Sequence, residues 1–133
     1  NEKEQVHIVT GAGIGPNYSI LKQWLMSDSE HKASLFFGMQ HLKNTPYLDD
    51  FRKWKENNNF NYYICVSQEE GDNNESFSGR VLPVLEKQIT DYNNKEFYLC
   101  GLPDMVRESI EFLIEKGVDR SDIHFEKFTA ARK

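Results

Sequence analysis

Short apolar runs alternate along the chain with longer segments that show the periodicity of a helix. The runs cover residues 6–10, 34–38, 61–66, 97–100 and 123–127, and their β-branched and aromatic content predicts strands. Strands that alternate with helices favour a parallel sheet that is covered on both faces. The pattern therefore predicts an α/β fold, a three-layer sandwich with a five-stranded parallel sheet in the middle.

Four segments between these runs repeat apolar residues at helical spacing. The first is predicted to begin at Pro16 and to fade at residues 27–28, and the last is predicted to end at a left-handed cap on Gly117. Pro83 is tolerated in the first turn of the third helix. The polar, acidic stretch 68–78 predicts a mobile loop. The apolar positions are Ile20, Leu21, Trp24 and Leu25; Leu48, Phe51 and Trp54; Leu82, Leu85 and Ile89; and Val106, Ile110, Leu113 and Ile114.

A glycine-rich turn joins the first strand to the first helix. Gly11, Gly13 and Gly15 let the backbone turn sharply and approach an anion without Cβ clashes, and Pro16 follows where no amide donor is needed. Free amides and the positive end of a helix dipole favour a phosphate at such a place. The spacing differs from the usual dinucleotide fingerprint, because Pro16 follows Gly15 directly. An ordinary tight turn is the alternative interpretation.

A second turn of this kind follows the fourth strand, in Cys-Gly-Leu-Pro-Asp-Met at residues 100–105. Together with Gly-Ala-Gly-Ile-Gly-Pro at 11–16, Ser19 and the closing Ile-His-Phe-Glu-Lys-Phe at 123–128, it resembles the pyridine-nucleotide domain of the ferredoxin-NADP(+) reductase family. The intervening segments 35–38, 47–51 and 78–81 also resemble landmarks of that family. The resemblance covers nearly the whole chain, in order.

The resemblance implies the strand order 3-2-1-4-5 and a single crevice, at the carboxyl edge of the sheet, that both turns face. It also implies that this crevice binds NAD(P)H. In the family, the cysteine that matches Cys100 lies close to the nicotinamide, and a carboxylate that matches Glu126 approaches the flavin or the adenine portion. The implied cofactor-binding residues are Thr10, Gly11, Ala12, Gly13, Ile14, Gly15, Pro16, Gln40, Ser67, Gln68, Cys100, Gly101, Leu102, Pro103, Met105 and Phe128.

Several of these residues also have simpler interpretations. Cys100 fits a buried core thiol, and in the functional interpretation its role is to position the nicotinamide rather than to act as a nucleophile. Phe128 has two interpretations: its ring stacks on a flat heterocycle of a cofactor, or it packs in the core at the end of a strand. Asp104 shapes the second turn or caps the helix that follows. Ala12 stands where the family commonly has a threonine, so one hydrogen bond to the cofactor is expected to be missing.

The choice between NADH and NADPH depends on charges near the adenosine ribose. Family members that bind NADPH place an arginine after the second or third strand, whereas this chain has Gln40 and Gln68 there. We therefore expect NADH, although His41, Lys43 and Arg80 are candidate sources of positive charge. Ser67 and Gln68 are expected to hydrogen-bond the adenosine hydroxyls, or else to be surface residues without a ligand.

Composition narrows the classes of partner and site. The 133 residues fit one domain, 1–133, and the net charge of -5, with both signs interspersed, argues against binding to nucleic acid. No apolar run approaches the length of a membrane span, and the beginning of the chain lacks a signal peptide, so a cytoplasmic location is expected. Cys65 and Cys100 are predicted to be buried and reduced. No metal site is expected, because no Cys or His spacing resembles one.

The flavin motif of the family is absent, and the chain begins almost at the first strand. We therefore expect this chain to be one half of an NAD(P)H-dependent flavin oxidoreductase that is inactive alone. Its partners would be a preceding FAD-binding barrel domain and a ferredoxin-like or iron–sulfur acceptor. Two alternatives stay open: a non-catalytic nucleotide-binding or docking module, and an S-adenosylmethionine-dependent methyltransferase. The methyltransferase is disfavoured because the second strand ends in Gly-Met-Gln rather than in an acidic residue.

Overall fold

A parallel sheet with helices on both faces forms the framework of the molecule. The computed structural model describes residues 3–127, except for the side chains of Ala12 and Lys127. In chain order the strands and helices are β1 (Glu4–Thr10), α1 (Ile14–Ser27), β2 (Lys32–Met39), α2 (Leu48–Asn57), β3 (Asn59–Val66), β4 (Ser76–Ser78), α3 (Val81–Gln88), β5 (Lys95–Gly101), α4 (Pro103–Glu115) and β6 (Ile123–Lys127). Short 3₁₀ turns cover Gly11–Gly13, Leu42–Asn44 and Arg120–Asp122.

The sheet has six strands in the described residues, in the order β4-β3-β2-β1-β5-β6, and each neighbouring pair is parallel. The prediction of five strands was therefore wrong. The additional strand, β4, lies within the stretch predicted as a loop and pairs Ser76, Phe77 and Ser78 with Ile64, Cys65 and Val66. Without β4, the remaining strands follow the expected order 3-2-1-4-5.

The turn before β4 is held by one side chain. The Asp72 carboxylate accepts hydrogen bonds from the backbone N–H groups of Asn74, Glu75 and Ser76, at 2.9 to 3.0 Å. Such an Asx turn satisfies local backbone donors without a helix or a strand. Glu75 is also bound by the Arg52 guanidinium of α2. These bonds order a polar segment whose composition alone predicts mobility.

Each face of the sheet has its own core. Helices α1 and α2 cover one face, where Leu21, Leu25, Phe51 and Trp54 pack against Phe37 and its strand neighbours. Helices α3 and α4 cover the other face, where Leu85, Val106 and Leu113 pack against Phe36 and Leu99. Because parallel strands with buried faces carry apolar residues on both sides, β2 reads as a nearly continuous apolar run, whereas β1 also buries the polar side chains of Gln5 and His7.

The first and last residues of the helices depend on local backbone conformation and hydrogen bonding, which the spacing of apolar residues alone does not predict. Helix α1 begins at Ile14, two residues before the predicted start at Pro16, because the glycine turn already has helical dihedrals at Gly13. At the end of α4 the prediction is confirmed: Gly117 has a φ of 93°, and the N–H groups of Gly117 and Val118 donate to the carbonyls of Ile114 and Leu113 at 3.0 Å. This bonding pattern is a Schellman cap.

Candidate functional site

The turn after β1 is open at two of its glycines. Gly11 has a φ of 60°, a left-handed conformation that side chains other than glycine rarely adopt, and an added Cβ would meet nothing within 4 Å. Gly15, in the first turn of α1, is equally unobstructed. Gly13, at the N-cap of α1, makes no side-chain cap, and the first turn of the helix has no acidic residue. The helix therefore presents uncapped backbone donors beside open space.

The turn after β5 packs directly against the first turn. A Cβ on Gly13 would lie 2.9 Å from Cys100 Sγ and 3.0 Å from its carbonyl oxygen, so only a glycine fits there without a shift. Gly101, with a φ of 153°, leaves no room for a Cβ between Thr10 Oγ1 and Met105 Cε. The N–H of Leu102 donates to Thr10 Oγ1 at 3.4 Å. The two turns thus form one continuous surface at the carboxyl edge of the sheet.

A cleft of about 540 Å³ opens at this edge, on the side of the sheet that α3 and α4 cover. Its floor is apolar, with Val81 and Met105 among its residues, and Leu102 at its mouth is 62% exposed. Six residues predicted from the sequence line the cleft: Thr10, Gly11, Gln40, Ser67, Leu102 and Met105. The other lining residues are Gly38, Met39, Asn44, Cys65, Gly79, Arg80, Val81 and Asp104.

Cys100 and Glu126 lie together on the opposite side of the same edge. The Cys100 thiol faces Gly13, on the α1 side, and Glu126 of β6 is paired with Cys100 in the register of the sheet. Burial raises the pKa of the Cys100 thiol, and the charge of Glu126 raises it further. Cys100 is therefore a protonated thiol at neutral pH, which does not favour nucleophilic chemistry.

The remaining predicted residues do not line the cleft. Ile14 is 4% exposed and belongs to the core, and Gln68 is exposed, with its N–H bonded to the carbonyl of Gln40 at 3.1 Å. Asp104, which does line the cleft, does not cap α4, whose N-cap is Leu102, but pairs with Arg107 at 2.9 Å. Ala12 is part of the first turn, and Phe128 lies outside the described residues. The others outside the lining are Gly13, Gly15, Pro16, Cys100, Gly101 and Pro103.

Some cleft residues were not in the predicted set. Arg80 was considered only as a source of charge near the ribose, and its guanidinium binds Glu108 at 3.1 Å. The signal that marks it is the Ser-Gly-Arg-Val segment at 78–81, which was part of the family resemblance. Gly79 belongs to the same segment, whereas Asn44 and Cys65 had no signal that marks them as cleft residues, because their position depends on how the ends of β2 and β3 and the start of α3 meet.

A buried polar network lies beneath the two turns. His7 of β1 is fully buried, and its ring nitrogens lie 2.9 Å from Gln5 Oε1 and 2.8 Å from Asn17 Nδ2. Asn17, on the second turn of α1, also donates to the carbonyl of Tyr98 on β5 at 3.4 Å. Burial lowers the pKa of His7 to about 3, so the ring is neutral at physiological pH. The network connects the start of α1 to the strand that carries Cys100.

Neither a metal centre nor a membrane-spanning helix occurs in the described part of the chain. Within residues 3–127, no group of three His, Cys, Asp or Glu side chains could hold a metal ion. Over the same residues, no helix combines the length and the apolar character needed to cross a bilayer.

Comparison with known proteins identifies what the chain is similar to. Residues 8–110 match the family model of the oxidoreductase NAD-binding domain. One subunit of the Na(+)-translocating NADH-quinone reductase is 31% identical in Methylococcus capsulatus and 32% identical in Pseudoalteromonas atlantica. In both cases the match covers 96% of this chain and 33% of the relative, so the chain spans about a third of the length of these curated relatives.

Solved structures share the fold at lower identity. A cytochrome P450 reductase from Amycolatopsis superposes with a TM-score of 0.89 at 22% identity, over 98% of this chain and 39% of that one. A ferredoxin NADP+ reductase from Neisseria gonorrhoeae, with FAD and NADP bound, superposes with a TM-score of 0.77 at 22% identity, over 96% of this chain and 56% of that one.

Proposed function

The chain belongs to the oxidoreductase NAD-binding domain family, and from that premise we propose that it binds NAD(P)H across the carboxyl edge of its sheet and presents the nicotinamide to a flavin. The observation that carries the proposal is the contact between the two turns, Gly13 against Cys100 and Thr10 against Gly101, beside a single cleft. A single ligand that extends across both turns would contact both of them at once. This premise disfavours the methyltransferase alternative.

The first turn fits a diphosphate. The open space at Gly11 and Gly15 allows an anion to approach the backbone, and the uncapped start of α1 supplies N–H donors and the positive end of the helix dipole. The start of α4 is less suited, because Asp104 adds a negative charge to its first turn, whereas the first turn of α1 has no acidic residue. We therefore assign the diphosphate to the amides of Gly11 through Gly15.

The cleft fits an adenosine. Leu102 and Met105 offer apolar contact to a flat base, while Gln40 and Ser67 lie at the polar ends of β2 and β3, where ribose hydroxyls would find partners. Positions 40 and 68 hold glutamine, where family members that bind NADPH place an arginine. We therefore propose NADH as the preferred donor. Arg80 lines the same cleft and would interact with a phosphate of either nucleotide.

The Cys100 side of the edge fits the nicotinamide end. When the cofactor is bound, its reduced ring supplies the hydride, and the protein supplies position and electrostatics. The neutral thiol of Cys100 would contact the nicotinamide ring without reacting with it, and the carboxylate of Glu126 would lie nearby. Both are proposed here as positioning groups.

We further propose that a flavin-binding domain covers this side of the sheet. His124 and Glu126 of β6 are exposed there, and the ring of His124 stacks on Tyr98, with centroids 4.8 Å apart. A flavin held against this face would lie next to Cys100. The final acceptor in this proposal is a ferredoxin-like or other electron carrier, and the cytoplasmic location expected from the sequence stays a prediction.

Calorimetric titration with ADP-ribose and NADH tests the proposal. We expect binding that Leu102→Ala weakens several-fold, because roughly 1 kcal/mol of apolar contact is lost. Phe125→Ala is the matched control, since Phe125 is 52% exposed but does not line the cleft, and it should bind as the wild type does. Absence of binding would contradict the proposal. Binding without NADH-dependent flavin reduction, when the flavin domain is supplied, would favour the non-catalytic module.

A further inference from the structure

We propose that the ion pair between Arg52 and Glu75 positions one wall of the carboxyl-edge cleft from the opposite face of the sheet. Arg52 and Glu75 are positioning residues here, because they lie outside the lining of the cleft and act on it through strand β4. The inference rests on the proposed function, since it requires the adenosine of the cofactor to occupy this cleft. It adds a remote determinant of adenosine affinity to the residues that contact the ligand.

One wall of the cleft depends on a short strand at the edge of the sheet. Gly79, Arg80 and Val81 line the cleft and follow β4 directly along the chain. Strand β4 has three residues and pairs with β3 on one side only. Because a short edge strand is held by few ladder bonds, contacts outside the ladder contribute strongly to its position. The position of this wall therefore depends on what anchors β4.

Glu75, the residue before β4, is bound by two side chains on the α2 face of the sheet. The Arg52 guanidinium of α2 donates to both carboxylate oxygens of Glu75, from Nη2 at 2.8 Å and from Nε. The Tyr62 hydroxyl of β3 donates to one of the same oxygens at 2.6 Å. The hydrogen bond from Arg52 holds the pKa of Glu75 below its ordinary value, so the carboxylate is charged at neutral pH. A forked pair of this kind fixes direction as well as distance.

The backbone connects this ion pair to the cleft. The carbonyl of Glu75 accepts from the N–H of Ile64 at 3.2 Å, and the pairing of β4 with β3 begins at the next residue. The N–H of Gly79 continues the ladder to the carbonyl of Val66 at 2.9 Å. The side chain of Glu75 thus faces α2, whereas Gly79 and the two residues after it line the cleft on the other face. A displacement of Glu75 would therefore displace this wall.

The other contacts of this segment have different effects. The Asp72 carboxylate accepts from the backbone N–H groups of residues 74–76, so these partners lie within the same turn. Such bonds shape the turn without fixing it to a helix. Phe77 packs against Tyr63 on the α3 face, with ring centroids 5.4 Å apart, and so holds β4 against its neighbour strand. The ion pair with Arg52 is what joins the turn to α2.

Titration with 5′-AMP tests the inference, because this nucleotide carries the adenosine without the nicotinamide half of the cofactor. Arg52→Gln should weaken its binding by about fivefold, a change typical of remote substitutions that act through a shared element. Glu75→Ala should weaken it at least as much, and the double variant should bind as Glu75→Ala does, because Arg52 acts through Glu75. Unchanged affinity in Arg52→Gln, or additive losses in the double variant, would overturn the inference.

Lys3→Gln is the matched control. Lys3 pairs with Asp122 at 2.7 Å, and the two side chains are 39% and 19% exposed, close to the 49% and 15% of Arg52 and Glu75. This pair also joins two segments, but it lies where β1 and β6 begin, at the edge of the sheet opposite the cleft. Its removal should cost a similarly small amount of stability and leave the affinity for 5′-AMP unchanged. An equal loss of affinity in Lys3→Gln would contradict a positioning role for the Arg52 pair.

Hydrogen exchange provides a second readout that a general loss of stability would not reproduce. In Arg52→Gln, exchange at the N–H groups of Ile64 and Gly79, which bond beside β4, should rise more than exchange between β1 and β5. An equal rise across the sheet would overturn the inference. If the wild type does not bind 5′-AMP, the proposed function fails and the inference fails with it. Wild-type binding with unchanged affinity in Arg52→Gln would remove the inference alone.

Discussion

The turn after β1 leaves open space at Gly11 and Gly15, whereas the turn after β5 packs its glycine tightly against the first turn. At Gly101 an added Cβ would collide with Thr10 and Met105, and at Gly15 it would meet nothing within 4 Å. The same residue type thus serves two purposes: in the first turn it exposes backbone to a ligand, and in the second it allows two backbones to approach each other.

The difference divides the site into a part that contacts ligand and a part that fixes geometry. Gly13 belongs to the second part although it lies in the first turn, because Cys100 occupies the space where its Cβ would be. Substitutions at the packed glycines should therefore change stability, and a substitution at Gly15, which is open and has no positive φ, should change binding. The predictions below test this division, from the largest expected effect to the smallest.

Gly101→Ala should destabilise the fold by about 3 kcal/mol or more, because the new methyl group collides with Thr10 and Met105 at a backbone φ of 153°. Urea unfolding measures the loss. Gly117→Ala is the control: its φ is also positive, at 93°, but its Cβ would have free space, so backbone strain acts alone there. An equal loss in both variants would show that close packing at Gly101 is not the cause.

Gly13→Ala and Gly15→Ala compare the two kinds of glycine within one turn. The first should cost about 1 to 3 kcal/mol of stability through its contact with Cys100. The second should leave stability unchanged or raise it by up to about 1 kcal/mol, since alanine favours a helix, and yet weaken the binding of ADP-ribose. Full affinity in Gly15→Ala would mean that the diphosphate does not use this open space.

The buried histidine that lies beneath both turns should make stability depend on pH. Because burial lowers the pKa of His7 from 6.5 to about 3, the unfolded chain binds a proton at this residue before the folded chain does. The contribution is complete above pH 6.5 and is lost as the pH falls towards 3, with roughly 1 to 2 kcal/mol gone by pH 5. Unfolding experiments at pH 7 and pH 5 measure it.

His7→Gln should remove this part of the pH dependence, even if it also lowers stability at pH 7. His124→Gln, at an exposed histidine, should keep the wild-type dependence. A pH dependence that survives in His7→Gln would assign it to another group.

Thr10→Val should have the smallest effect, a loss of up to about 1 kcal/mol. It removes the oxygen that accepts from the Leu102 N–H, but that bond is long, at 3.4 Å, and the two side chains have the same shape. Thermal unfolding measures the loss, and Thr10→Ser should retain most of the wild-type stability. A larger loss in Thr10→Ser than in Thr10→Val would exclude the hydrogen bond as the cause.

The sequence was most informative where a strong local signal coincided with the fold. The apolar runs located β1, β2, β3, β5 and β6, and Gly117 located the end of α4, because both signals come from residues close in the chain. Strand β4 was missed because Ser-Phe-Ser holds one apolar residue, and its pairing with β3 depends on the turn that Asp72 organises.

For the site, the sequence indicated the two turns but not how they fit together. Nothing local in the sequence indicates that Gly13 packs on Cys100, or that this thiol lies on the other side of the sheet edge from the cleft, since both depend on the pairing of β1 with β5.

A crystal structure of the protein with ADP-ribose bound would test the central claim most directly. The account predicts the diphosphate within hydrogen-bond distance of the amides in the turn after β1 and the adenosine in the cleft between Gln40 and Leu102. A second groove of about 600 Å³ lies elsewhere, lined by Lys32, Lys55 and Asn58 among others. ADP-ribose bound in that groove, with the carboxyl-edge cleft empty, would contradict the account.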